Sequence, residues 1–304
     1  MTLHPQAAAA IKARASEPSV VGADRAEIER RRVAAQVEAA QEKREPVAQA
    51  TDLDADGVAC RLFRPTGESG GAIVFAHGGG FVFGDLETHD AQARRLANRT
   101  GLAVLAVDYR RPPEHVFPAA HDDVSAAARW LAGSAEELGL DATRLVALGD
   151  SAGGSLALVA ALRDPGLFAA TVLVYPFVDP QRRGASMGTQ GEHGFDSAEA
   201  EWYWQSYAGG PERVAVLRDD PDFCPLDAAG LGGLPPTQVL IAEHDILRDE
   251  DLLLVRRIEL SGGRVSPTAY PGMIHGFWRH PDAFDAAELA LADTVVFLNG
   301  VLPR

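Results

Sequence analysis

A serine flanked by glycines, Gly149-Asp150-Ser151-Ala152-Gly153, stands between the apolar run 145–148 and an alanine- and leucine-rich helical run. A strand turning sharply into a helix at that point lifts the serine hydroxyl onto an exposed elbow. Glycine is needed on both sides, because the serine backbone is strained there and neighbouring strands leave no room for a Cβ. Ala152 supplies the next amide, at a helix start where free N–H groups and the helix dipole favour developing negative charge. Such a serine suits acyl transfer. By composition alone the pattern G-x-S-x-G arises by accident roughly 0.1 times in a chain of this length, so alone it also fits a plain turn before a helix.

Upstream, His77-Gly78-Gly79-Gly80 follows the apolar run 72–76 directly. A triple glycine at a strand end leaves the backbone bare, so its amides can approach a ligand oxygen closely: a candidate oxyanion loop. His77 opens that loop and is read as hydrogen-bonding it rather than transferring protons. A serine hydroxyl is a weak nucleophile and needs a base, itself held by an acid. In a sheet of this kind the acid and then the base follow the serine in the chain, on loops after later strands. Asp245, a short turn after 239–242, fits the acid, and His275, after a Pro271-Gly272 turn, fits the base. Asp249 and Asp251 lie where a helix should begin and read as caps or dipole partners. The remaining histidines, His4, His89, His115, His121, His193, His244 and His280, lack a matching context.

Elements that would position these groups follow from periodicity. Strand-like alternation starts at Val58, and apolar runs at 72–76, 103–107, 145–148, 171–174, 238–242 and 265–270 read as further strands. Helical patterns near 88–99, 119–132, 152–163, 249–260 and 283–298 separate or follow them. Such alternation predicts a mostly parallel, doubly wound α/β sheet flanked by helices. Residues 22–45 read as a charged surface helix with a thin stripe of Ile28, Val33 and Val37. Between Asp179 and Pro236 no core strand is evident, and the insert carries Trp202-Tyr203-Trp204, read equally as packing of the insert or as substrate contact.

The chain of 304 residues can bury a full core, and its 43 acidic against 28 basic residues give a net charge of −15 that repels phosphate backbones, arguing against a nucleic-acid partner. Cys60 and Cys224 sit in no metal-ligand or redox spacing and read as buried thiols. No run approaches the roughly 18 apolar residues of a membrane span, and the start lacks a signal-peptide pattern. A soluble, cytoplasmic protein without an integral membrane segment is expected.

HGGGF at 77–81, DYRRPPEHVFPAA at 108–120, GDSAGG at 149–154, EHDILRDE at 243–250 and IHGF at 274–277 appear in order over about two hundred residues. In these pieces the chain resembles the hormone-sensitive-lipase-like α/β-hydrolases, the bacterial family IV carboxylesterases. The resemblance implies an α/β-hydrolase fold with a helical cap, made of residues 1–45 and an insertion at 182–215 between the core segments 46–181 and 216–304. It implies Ser151 as nucleophile, Asp245 as acid, His275 as base, and the amides of Gly79, Gly80 and Ala152 as oxyanion hole, with no metal or cofactor. It also implies short to medium acyl esters as small-molecule substrates, and in some relatives a homodimer through the last strand, here 264–270. Two departures stand out. The usual R-L-A-P-E is Arg110-Arg111-Pro112-Pro113-Glu114, and the usual Asp-Pro-Leu is Asp245-Ile246-Leu247. The first puts a charge where leucine packs; Asp108 and Glu114 are read as holding that loop.

The expected reaction is serine carboxylesterase chemistry, with Phe81, Phe83, Trp202, Tyr203 and Trp204 lining an apolar acyl pocket. Two rivals stay open: a serine amidase or peptidase on the same fold, because a triad also serves amides, and a non-catalytic ligand receptor, which would lose the histidine.

Overall fold

The computed structural model describes residues 2–67, 69–189 and 194–303. Two helices come first, α1 (Pro5–Arg14) and α2 (Arg25–Ala39), then the strands β1 (Gln49–Asp54) and β2 (Ala59–Arg64). The chain next alternates through β3 (Ala72–Ala76), α3 (Asp90–Thr100), β4 (Ala103–Val107), α4 (Ala119–Ser134), β5 (Leu145–Asp150), α5 (Ala152–Arg163) and β6 (Ala170–Val174). Helices α6 (Ser186–Thr189), α7 (Ser197–Ala208) and α8 (Pro211–Leu217) intervene before β7 (Thr237–His244), α9 (Arg248–Leu260), β8 (Val265–Ile274) and α10 (Asp285–Val301).

The eight strands form one sheet in the order β1-β2-β4-β3-β5-β6-β7-β8. From β4 to β8 neighbours run parallel, and β1 and β2 add an antiparallel edge. Continuous apolar runs serve here because both faces are covered. Val74, Leu105, Ala147 and Leu173 face one buried layer, which takes Val124 from α4 and Leu156 from α5. The alternate residues Ile73, Val104, Val146 and Val172 face the other, which takes Leu96 from α3 and Leu291 from α10. The strand period of two sends each run to both cores.

Several expectations are redrawn. The surface helix expected over 22–45 is shorter, starting after an Asp24 cap that accepts from the Glu27 amide at 2.8 Å. Its stripe is split: Ile28 is buried while Val33 and Val37 are exposed, because α2 turns only one residue of the three inward. The start also forms α1, and β1 precedes the first expected strand. The 182–215 segment contains α6, α7 and most of α8; residues 190–193, with His193, lie outside the described residues. Cys60 and Cys224 are buried free thiols. Among the described residues no helix is long and apolar enough to cross a membrane, and no group of acids, histidines and cysteines forms a metal-ligand cluster.

Parallel strands point their carboxyl ends the same way, so the loops after β3, β5, β7 and β8 meet above one edge of the sheet. Those loops carry Gly78–Gly80, Ser151, Asp245 and His275.

Candidate active site

Ser151 sits at φ 54° and ψ −121°, in the sharp turn between β5 and α5. Such a backbone is strained for a residue with a side chain, and it persists because its surroundings fix it. Its amide donates to the Val174 carbonyl at 2.9 Å and its carbonyl accepts from Phe177 at 3.0 Å. The flanking glycines have a direct cause. A Cβ on Gly149 would run into the Gly153 carbonyl, and one on Gly153 into the Ala76 carbonyl at the end of β3.

The structure brings together the serine, histidine and aspartate that the sequence singles out. Ser151 Oγ lies 2.9 Å from His275 Nε2, and His275 Nδ1 lies 2.6 Å from Asp245 Oδ2. An ionised carboxylate only accepts, so Nδ1 carries the proton and Nε2 is left to accept from the serine hydroxyl. The second Asp245 oxygen accepts from the Leu247 amide at 3.0 Å, and the carboxyl is fully buried. Of the competing acids, Asp249 accepts from Ser186 N at 2.9 Å and ties α9 to α6. Asp251 is not a cap: it is fully buried with neither oxygen hydrogen-bonded, and burial pushes its carboxyl well up.

The glycine loop is oriented from beneath. His77 Nδ1 is 2.8 Å from the Gly78 carbonyl, an acceptor only, so Nδ1 donates. The Tyr109 hydroxyl donates to the His77 carbonyl at 2.8 Å, and the Tyr109 and His89 rings stack on the imidazole at 4.2 and 4.9 Å. Burial pushes His77 down to about 3, so it stays neutral. In a planar trans peptide the N–H opposes the C=O. Holding the Gly78 carbonyl on the His77 side therefore turns the Gly79 N–H the other way. The Gly79 carbonyl accepts from Val82 and Phe83 at 3.1 and 2.8 Å, which turns the Gly80 N–H away from those two amides. Ala152 opens α5 and adds a helix-terminal amide beside the serine. Asp150, one residue before the serine, accepts from Gly78 N at 2.9 Å and so ties the elbow to the glycine loop.

A cavity of about 760 Å³ opens over Ser151 and His275, walled by Ile11, Arg31, Phe83, Phe195 and Tyr203 among others. Of the five expected lining aromatics, Phe83 and Tyr203 face it. Phe81 and Trp204 do not; both are buried in a ring cluster where Phe81 stacks on Tyr207 at 4.0 Å and Trp204 packs on Phe177 at 4.5 Å. Trp202 backs Phe83 from behind at 6.3 Å. Consecutive helical residues step about 100° apart, so Trp202, Tyr203 and Trp204 point in three directions. Two further rings flank His275: Tyr175 at 4.7 Å and Phe195 at 4.8 Å. Neither carries a local sequence signal, since each acquires its neighbour only through the fold. His280 and Arg279 also reach the cavity wall.

The Arg-Arg-Pro-Pro-Glu loop absorbs its extra charge. Arg111 pairs with Asp108 at 2.8 Å and donates to the Gly84 carbonyl, bracing the end of the glycine loop. Glu114 pairs with Arg32 of α2 at 3.0 Å, and Arg32 also donates to the Val82 carbonyl at 2.9 Å. In the second departure, Ile246 is buried and its carbonyl accepts from Ser186 Oγ at 2.6 Å.

Residues 73–279 match a protein family described as the alpha/beta hydrolase fold. An ethyl acetate hydrolase from Pseudomonas putida is 36% identical over 259 residues, covering 82% of this chain and 80% of that one. An acetyl-hydrolase from Streptomyces hygroscopicus is 34% identical and covers 72% of each. The solved structure of a hyperthermophilic esterase from the archaeon Pyrobaculum calidifontis superposes with a TM-score of 0.87 at 33% identity, covering 99% of both chains. The chain belongs to the α/β-hydrolase family, among the carboxylic ester hydrolases of the hormone-sensitive-lipase-like group.

Proposed function

We propose that the protein is a serine carboxylesterase acting on short to medium acyl esters through a Ser151-His275-Asp245 triad and an acyl-enzyme intermediate. The observation that carries this reading is the unbroken relay of 2.9 and 2.6 Å contacts from Ser151 through His275 to Asp245. Ser151 Oγ attacks the ester carbonyl carbon while Nε2 takes the hydroxyl proton. The imidazolium keeps its Nδ1–H on Asp245, whose charge balances it. The carbonyl oxygen, now negative, is met by the amides of Gly79, Gly80 and Ala152, and one such donor is worth about 10² to 10³ in rate. Collapse expels the alcohol, which takes the proton from Nε2. Water then gives a proton to Nε2 and attacks the acyl carbon, and the second collapse returns the proton to Ser151 and frees the acid.

The helices α1 and α2 and the 182–215 insert serve as the cap on this reading: Ile11, Arg31 and Tyr203 from them wall the cavity with Ser151. Its volume of about 760 Å³ lies within the range of sites that take small organic molecules. A p-nitrophenyl ester series run beside a matching anilide tests the reaction. Wild type should cleave the shorter esters and leave the anilide nearly untouched, whereas Ser151→Ala should fold normally and fall by about 10⁴ or more in kcat. Substantial turnover in the alanine variant would remove the serine mechanism, and preferential anilide cleavage would make the protein an amidase.

A further inference from the structure

Two hydrogen bonds hold the edge of the His275 ring, but they leave its faces free. Two rings lie tilted against it: Tyr175, centroid to centroid 4.7 Å with 54° between the planes, and Phe195 at 4.8 Å with 38°. Tyr175 belongs to the core, directly after β6, and meets Phe277 edge-on at 5.8 Å. Phe195 belongs to the insert and is itself held by Phe177 at 6.1 Å and Tyr203 at 6.2 Å. The base is thus flanked by one ring of the core and one ring of the insert.

Resting on the triad reading above, we infer that Phe195 is a positioning residue for His275, and that with Tyr175 it stabilises the imidazolium formed in each transition state. Rotation of the imidazole about its Cβ–Cγ bond would swing Nε2 away from Ser151, and two flanking rings oppose that rotation. Both centroids also lie within the roughly 6 Å over which an aromatic face attracts a cation. A neutral imidazole gains little from this attraction. The charged ring gains more, so the contact acts on the barrier and not on substrate binding. Phe195 therefore belongs to the rate as well as to the shape of the pocket.

The test measures kcat and KM for p-nitrophenyl acetate, with melting temperature, in wild type, Phe195→Leu, Phe195→Tyr, Phe195→Ala and His275→Ala. Leucine keeps apolar bulk without a π face, and tyrosine keeps the face. Phe195→Leu should lose about fivefold in kcat, the rate equivalent of one partly buried cation–π contact, with KM within about twofold and the melting temperature unchanged, and Phe195→Ala, which also empties a packed site, should lose at least as much in kcat and melt lower. Phe195→Tyr should keep wild-type kcat. Full kcat in the leucine variant, or a loss confined to KM, would overturn the inference and leave Phe195 as a pocket wall. His275→Ala separates the two levels: if it is inactive while Phe195→Leu is fully active, only this inference falls, and if it keeps turnover the triad reading fails with it.

Discussion

Burial pushes the Asp150 carboxyl up to about 6, against the opposing pull of Arg279 and of the Gly78 amide that it accepts from. A carboxyl that binds its proton more tightly folded than unfolded stabilises the fold fully below the ordinary carboxylate range, near pH 4, and loses that contribution as pH rises through its folded value. Between pH 5 and pH 8 the wild type should therefore lose about 1 kcal/mol of unfolding free energy that Asp150→Asn does not lose. Asparagine keeps the oxygen facing Gly78 N and removes the titration. Urea unfolding of both proteins at the two pH values gives the comparison; parallel trends would show that Asp150 is not the titrating group. At this scale the sequence is informative where chemistry demands a particular atom. Gly149, Gly153, Ser151, Asp245 and His275 are all identified by what only those side chains, or their absence, allow. Phe81 and Phe83 look alike in the sequence, two residues apart after the same glycines. A backbone φ of 65° at Phe81 sends its ring into the core, and nothing in the string of letters announces that angle.

Helix α7 shows how an element divides its residues among tasks. Its Trp204 and Tyr207 fill a ring cluster with Phe81, Phe117 and Phe223, while Tyr203 lies over Gly80 so closely that a Cβ there would strike the ring. Tyr203 also bounds the cavity. Replacing it by alanine should enlarge the acyl space, raising the ratio of octanoate to acetate ester cleavage by several-fold, the effect of a few methylenes in an apolar pocket. An acyl-chain profile of Tyr203→Ala reads this directly; an unchanged profile would place the acyl chain elsewhere. The core strands were legible because burial on both faces forces uninterrupted apolar runs, and β3 and β4 coincide with the expected 72–76 and 103–107. Strand β1, Gln-Ala-Thr-Asp-Leu-Asp, was not legible. It pairs along one side with β2 and five of its six residues are exposed, so its form comes from the ladder and not from its side chains.

Across the whole molecule the sheet order does what no single segment can. Ser151 and His275 are 124 residues apart, yet β5, β6, β7 and β8 lie side by side and set their loops over one rim. That convergence was readable from strand alternation. The roof was less so, because α1 docks through only a short apolar face, Ala7 with Ala10 and Ile11, and α2 through polar contacts: Arg32 to the Val82 and Pro112 carbonyls at 2.9 and 2.6 Å, and Gln36 to Asp85 at 2.7 Å. Charged helix surfaces usually face water, so their sequence gives no sign of a docking face. Removing residues 2–44 should leave the sheet folded by circular dichroism and raise KM for butyrate esters by about tenfold or more, through loss of the Ile11 and Arg31 walls. An unchanged KM would mean that those helices do not touch substrate. The insert has the opposite character, since the ring it lays on His275 and the ring it lays beside Gly80 come from one short stretch, 195–203. A library that randomises this stretch to recruit a new ester is therefore also a library of turnover numbers. Variants selected for fit alone will tend to arrive slow, and regaining speed will require an aromatic side chain back at position 195.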